Sequence, residues 1–268
     1  MLAKLKALED LIGTLGSVGV AYSGGTDSSF LLKVARDVLG DAVVGFIADS
    51  RSLPRSELDT ALDLADRIGA RVVRVPVDEL AVEGFATNPV DRCYHCKRYI
   101  LERILEAARS EGLARVIDGV NAEDLSSHGH GTRAARELGV RSPLAEVGLG
   151  KQEIRSLSRS LGLPTADKPH SACLATRIPY GQRITAEKLE QVERAEGMMR
   201  QLGVGQLRLR HHGDVARIEV LPEEFGLVIR NRDRIVAGLK ELGFRFVCLD
   251  LEGFRSGSLE PEDRSERS

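Results

Sequence analysis

Short apolar runs alternating with amphipathic helical stretches constrain this chain more than any other feature. SVGVAYS (17–23) precedes a helical pattern from Asp27 to Leu39, and VVGFIADS (43–50) precedes another in SELDTALDLADRIGA (56–70), which Gly69 closes. RVVRVPVD (71–78) is a third strand-like run. The second run is almost continuously apolar, as strands are when helices cover both faces of a parallel sheet. Alternation of this kind predicts βαβ units with right-handed crossovers. Upstream, Leu2, Leu5, Leu8, Leu11, Ile12 and Leu15 recur at the spacing of a surface helix. Downstream, a helix is predicted over 93–112 and a fourth strand over 114–120. A polar, glycine-containing loop is expected to open 121–138, and 141–164 ends in a helix closed by Gly162 and Pro164. Residues 1–165 therefore read as an α/β domain built on a parallel sheet.

The segment 166–185 is punctuated by Pro and Gly and reads as a linker. Beyond it the order changes to a helix (186–202), strands QLRLR and VARIEVL around a HHGD turn, a helix near 231–242 and a strand RFVCLDL. This αββαβ order over 186–256 predicts a second, smaller α+β domain. The polar end, 257–268, carries no apolar periodicity and is expected to be disordered.

Composition narrows the function classes. Lys plus Arg is 38 against 40 acids, a formal charge of −2, so no bulk positive field draws the chain to nucleic acid. The N-terminus MLAKLKALEDLIGTL carries acids, unlike a signal peptide, and no apolar run approaches the ~18 residues of a membrane span. A cytoplasmic location is expected, with no membrane association. In that compartment the CxxC formed by Cys93 and Cys96 points to metal or redox chemistry rather than a disulfide.

In an open parallel sheet, ligands bind where strands end and helices begin. SGGTDS (23–28) stands at such a point. Gly24 and Gly25 let backbone N–H groups approach an anion, Ser23 and Ser28 add hydroxyls, and the helix start adds partial positive charge. A capped strand-to-helix turn explains the Gly-Gly pair alone. Neither GxxxxGK[ST] nor GxGxxG is present. The full string S-G-G-x-D-S resembles the PP-loop of the ATP pyrophosphatases, which cleave ATP between the α and β phosphates. That resemblance implies that Ser23, Gly24, Gly25, Thr26 and Ser28 cradle pyrophosphate, that Asp27 sits near its Mg2+, and that adenine lies by Ile47 to Ser50.

Together with that loop, the strings DRCYHCK, RSPLAEVGLGKQEIR, ACLATRIPYG, RLRHHGDVARIEV and GFRFVCLDLEGFRSG resemble the LarE family of sulfur transferases. The likeness spans residues 1 to about 257. It implies ATP-dependent adenylation of a carboxylate of pyridinium-3,5-biscarboxylic acid mononucleotide, then replacement of oxygen by sulfur, in nickel-pincer cofactor biosynthesis. In some members of that family one cysteine gives up its own sulfur, and it sits five residues before the arginine of SRFPYG-like segments. In others three cysteines hold a 4Fe–4S cluster with an exchangeable sulfide. Here Cys173 lies four residues before Arg177 and Ala172 takes the fifth place. With Cys93 and Cys96 as further ligands, this offset favours the cluster. Cys248, in RFVCLDL, reads as a core residue.

In the second domain, strand alternation puts Arg208, Arg210 and His212 on one face, with Arg217 and Glu219 sharing a face of the partner strand. A solvated charged face explains that pattern as it stands. The resemblance makes Arg208 and Arg210 phosphate ligands, places Thr176 and Arg177 at the same site, and gives Glu196 and Glu219 orienting or proton-handling roles. Asp27, Cys173, Arg177 and Glu219 are thus the expected catalytic set. A small-molecule nucleotide is the expected partner, in a homo-oligomer with cofactor-pathway contacts. The competing readings are a tRNA thiolase and an ammonia-dependent amide synthetase of the NAD-synthetase kind. The histidines of SSHGHG (126–131) are read as exposed.

Overall fold

The computed structural model describes residues 1–126, 130–168, 173–255 and 257–259. In chain order the first part runs α1 (Leu2–Gly13), β1 (Val18–Tyr22), α2 (Thr26–Leu39), β2 (Val43–Asp49), α3 (Arg55–Ile68), β3 (Arg71–Pro76), α4 (Glu83–Ala86), α5 (Arg92–Ser110) and β4 (Val116–Asp118). Then come α6 (Ala122–Ser126), α7 (His130–Glu137), α8 (Pro143–Glu146) and α9 (Lys151–Ser160). The second part runs α10 (Ala186–Gln201), β5 (Leu207–His212), β6 (Val215–Val220), α11 (Phe225–Arg230), α12 (Arg232–Glu241) and β7 (Phe246–Leu249). The chain forms two compact units: Met1–Gly84 with Asp91–Ser171, and Phe85–Val90 with Ala172–Ser268.

In the first unit the four strands lie in the order β3-β2-β1-β4, and all pairs are parallel. Alternate residues of the central strands serve opposite faces. Val18, Val20 and Tyr22 pack with Leu8, Phe30, Leu58 and Ile154, while Ala21, Val44 and Phe46 pack with Leu101 and Ile104 of α5. Burial on both faces is why β1 and β2 are almost wholly apolar. The edge strand β3 is different: Arg71, Arg74 and Pro76 are exposed, which suits an edge. Because β2 and β3 lie on one side of β1 and β4 on the other, the chain changes direction between β1 and β4. The carboxyl ends of those two strands are thus the switch point at which open α/β sheets bind ligands.

The stretch expected to begin as a loop at 121 instead starts α6. Asn121 Oδ1 accepts from the N–H groups of Glu123 (2.9 Å) and Asp124 (3.0 Å), a helix cap written in the sequence as N-A-E-D.

In the second unit β5 and β6 form an antiparallel hairpin and β7 adds in parallel to β6. Leu207, Leu209, Ala216 and Ile218 are buried, as are Leu189, Val192 and Met199 of α10. The helix is capped by Thr185, whose hydroxyl accepts from Lys188 N. The HHGD turn is shorter than expected. Both histidines lie in β5, and Gly213, at φ +64°, makes the turn with Asp214. His211 shares the inward face with Leu209 and stacks edge-on against Phe244.

Cys248 is not a core residue. It is exposed on β7, the outer strand, whose half-buried positions are Val247 and Leu249. The described residues of 166–185 are also more ordered than a linker. The stretch contains short 3-10 turns at Pro164–Asp167 and Leu174–Arg177, and Ala166, Leu174, Ala175, Ile178 and Ile184 are buried.

Candidate active site

The turn between β1 and α2 is built as an anion cradle. Gly25 precedes the helix in an extended conformation, so the first-turn N–H groups of Thr26, Asp27 and Ser28 have no intrahelical partners. Gly24 has φ +69°, and a Cβ there would lie 2.4 Å from Ala61 Cβ on α3. Only glycine fits. Ser23 and Ser28 brace the loop: their hydroxyls are 3.0 Å apart, and Ser28 Oγ accepts from Ser23 N at 3.2 Å. From the β4 side, Gly119 comes so close that a Cβ would stand 2.8 Å from Ser28 N.

Asp27 sits under this cradle. Asn121, just past β4, donates to its Oδ2 at 2.9 Å. Burial pushes the carboxyl above the usual carboxylate range, opposed by the Asn121 hydrogen bond. A carboxyl that burial makes reluctant to ionise gains from a neighbouring cation, which suits a divalent-metal ligand. Asp118, at the end of β4, is buried; its Oδ1 accepts from Ser142 Oγ (2.7 Å) and Val120 N (3.2 Å). At the end of β2, Ser50 and Ser52 are buried with hydroxyls 3.1 Å apart, and Ser52 N donates to the fully buried Glu79.

The second unit holds a separate cluster of charge. Arg177 and Glu196 are 2% and 0% exposed and form a two-pronged pair at 2.8 and 3.0 Å. Arg177 also donates to Thr176 Oγ1 (2.9 Å) and to the Cys173 carbonyl (3.2 Å), fixing the turn that carries Cys173. On the sheet, Arg210 and Arg217 both pair with the buried Glu219, and Arg210 reaches the Thr176 carbonyl at 2.8 Å. Arg208 lies over the Phe254 ring. Burial, with Arg177 and Arg210 nearby, lowers its pKa to about 10. Among the described residues, the guanidiniums of Arg177, Arg200, Arg208, Arg210 and Arg217 lie with the carboxylates of Glu196, Glu219 and Asp250. Guanidiniums gathered in this way suit a phosphate, which they can bind bidentately.

Comparison with known proteins places this geometry. No family model matches the chain. An uncharacterised protein of Synechocystis is 43% identical over 259 residues, covering 96% of this chain and 97% of the relative. A pyridinium-3,5-bisthiocarboxylic acid mononucleotide synthase of Lactiplantibacillus plantarum is 39% identical over 254 residues, 94% of this chain and 91% of the relative. The chain belongs to the LarE family. An NH3-dependent NAD+ synthetase of Chlorobaculum tepidum is 30% identical over 165 residues, or 59% of this chain and 58% of the relative. This more distant likeness fits a shared PP-loop fold. A LarE-family chain is an ATP-dependent sulfur transferase.

The structure brings Ser23, Gly24, Gly25, Thr26, Asp27 and Ser28 together in the first unit, with Ser50 at the end of β2. It gathers Thr176, Arg177, Glu196, Arg208, Arg210 and Glu219 in the second. The charged strand face is not solvated: Arg210 is 4% exposed and Glu219 is fully buried. Cys93 is exposed and Cys96 half-buried, one turn apart at the start of α5, and Cys173 is half-buried. The histidines at 128 and 130 lie outside the described side chains.

Three residues that brace these clusters escaped the sequence reading. Asn121 was hidden in an apparent loop. Ser258, in the polar tail, donates to Glu219 and accepts from Arg210, each at 2.8 Å; the tail from 260 onward lies outside the described residues. Asn88, fully buried at φ +59°, gives its amide to the carbonyls of Ile178, Pro179 and Gln182 and so holds the IPYGQ loop beside Arg177. An N-P dipeptide was the only signal for it.

Proposed function

We propose that this enzyme adenylates a carboxylate of pyridinium-3,5-biscarboxylic acid mononucleotide and replaces one carboxylate oxygen with sulfur. The observation that carries the reading is Asp27, half-buried in the first turn of α2 behind a glycine turn, at the point where the strand order changes direction. The substrate carboxylate attacks the ATP α-phosphorus, the bond to the bridging β-phosphate oxygen breaks, and pyrophosphate leaves. The N–H groups of Thr26 to Ser28 receive the developing charge on that leaving group. Asp27 is the residue to hold a magnesium ion, which when bound neutralises phosphate charge. A sulfur nucleophile then attacks the acyl carbon, and AMP departs with the carboxylate oxygen. The mixed anhydride supplies the leaving group that a bare carboxylate lacks.

The arginine cluster supports the substrate assignment. Arg208 and Arg210 are the ligands for the mononucleotide phosphate, and Glu219 orients Arg210. Arg177 aims the Cys173 turn rather than the substrate, because Glu196 and the 173–176 turn already occupy its guanidinium. For the sulfur source, Cys93, Cys96 and Cys173 are the three thiolates of a 4Fe–4S site. A cluster bound there would supply an exchangeable sulfide at its fourth iron. What supports this reading is that Cys93 and Cys96 are one helical turn apart and that Ala172 stands at the sacrificial position in the sequence, although among the described residues no three His, Cys, Asp or Glu side chains are gathered to hold a metal.

Asp27→Ala is expected to abolish substrate-dependent AMP formation while the melting temperature stays at or above that of the wild type. Retained AMP formation would show that the loop is misread.

A further inference from the structure

The loop 23–29, SGGTDSS, contains no lysine or arginine, and its one charge, Asp27, is negative. Helix-terminal N–H groups supply only about half a positive charge, yet pyrophosphate leaves with several negative ones. A cation from elsewhere in the fold is therefore expected beside the loop. Lys168 Nζ lies 3.2 Å from the carbonyl oxygen of Gly24 and 2.6 Å from Glu57 Oε2 on α3. The segment bearing it is fixed twice, once to the first turn of α2 and once to α9. Thr26 Oγ1 donates to the Thr165 carbonyl at 2.7 Å, and Arg155 of α9 donates to the carbonyls of Ala166 (2.8 Å) and Lys168 (3.2 Å).

We propose that Lys168 is a protein-borne cation serving this PP-loop, a positioning residue that acts through the Gly24–Gly25 peptide. An ammonium on the Gly24 carbonyl polarises that peptide, so the Gly25 N–H becomes a stronger donor to the leaving pyrophosphate. The same charge lowers the potential energy of an anion in the cradle. Glu57 holds Lys168 in place and also draws off part of its field. The ion pair is partly exposed, with side-chain accessibilities of 19% and 27%, so its role is local charge rather than bulk stability. The inference rests on the PP-loop reading above.

The test is calorimetric binding of magnesium pyrophosphate to the full-length protein, with ATP steady-state kinetics beside it. Lys168→Gln is expected to weaken pyrophosphate binding roughly tenfold or more, and to lower kcat with a smaller effect on the KM for substrate. Lys168→Arg retains most of the binding. Glu57→Gln separates charge from bracing. If Lys168 acts by its charge, removing the competing carboxylate tightens pyrophosphate binding. If the pair merely braces the loop, Glu57→Gln weakens binding as Lys168→Gln does, and the proposal is overturned. Unchanged binding in Lys168→Gln overturns it as well. Failure of the wild-type protein to bind the probe would overturn the PP-loop reading and this proposal together.

Discussion

Gly24→Ala tests the construction of the loop with a magnitude that follows from geometry. At φ +69° an alanine meets the left-handed penalty of about 1–2 kcal/mol. Its Cβ would also stand 2.4 Å from Ala61 Cβ, inside van der Waals contact, and forcing extra volume into a packed site costs about 1–3 kcal/mol. The expected loss is about 2–5 kcal/mol, a large share of a typical domain stability of about 5–15 kcal/mol. Gly25→Ala is the control. At φ −79°, with Ser23 Oγ at 3.4 Å as its nearest neighbour, an alanine there should cost no more than about 1 kcal/mol, the penalty of alanine at a helix N-cap. Ala61→Gly removes the clashing methyl at a helix-propensity cost of about 1 kcal/mol. In a double-mutant cycle by urea unfolding, Gly24→Ala and Ala61→Gly should couple favourably by about 1–3 kcal/mol, leaving the backbone penalty unrelieved. The reasoning fails if Gly24→Ala is no worse than Gly25→Ala, or if the cycle shows no coupling.

Other consequences follow from the second unit and the cysteines. Burial would raise the Glu196 carboxyl, but Arg177, the Leu209 N–H and Arg200 hold it below the ordinary range. Its folded pKa is depressed, so the pair's contribution is present above the unfolded value of about 4.3 and is lost as pH falls toward the folded pKa. Glu196→Gln strands a buried guanidinium; urea titrations should show a loss of about 3–5 kcal/mol at neutral pH that shrinks in acid. At position 88 the usual order reverses: Asn88→Gly keeps the left-handed backbone and loses only the amide bonds, so it should be more stable than Asn88→Ala by about 1 kcal/mol or more in the same assay. For the sulfur source, Cys93→Ala and Cys96→Ala should lose iron and repeated turnover in anaerobically purified protein. If only Cys173→Ala is inactive and the other two still transfer one sulfur per chain, the sacrificial route is correct.

The central sheet could be read from sequence because β1 and β2 are buried on both faces, which forces apolar runs, and because Gly69 ends α3 in the left-handed region. SGGTDS was legible for a related reason: glycines that must accept close backbone approach leave a mark in composition. Side-chain bracing leaves no such mark. Asn88, Asn121 and Lys168 work through partners 90 to 144 residues away, and no local pattern records those contacts. Cys248 was misjudged because an apolar-rich strand looks alike in the middle of a sheet and at its edge. Strand alternation did give the shared face of Arg208 and Arg210, but their burial depends on residues from other elements, including Ser258.

The most direct test is mass spectrometry of the small-molecule product, with pyrophosphate counted in the same reaction of full-length protein, ATP, magnesium, a sulfide source and the pyridinium dicarboxylate mononucleotide. The account predicts a thiocarboxylate in which one oxygen has been exchanged for sulfur, with one pyrophosphate and one AMP released per exchange. ATP cleaved to ADP, or an amide in place of the thiocarboxylate, would contradict it.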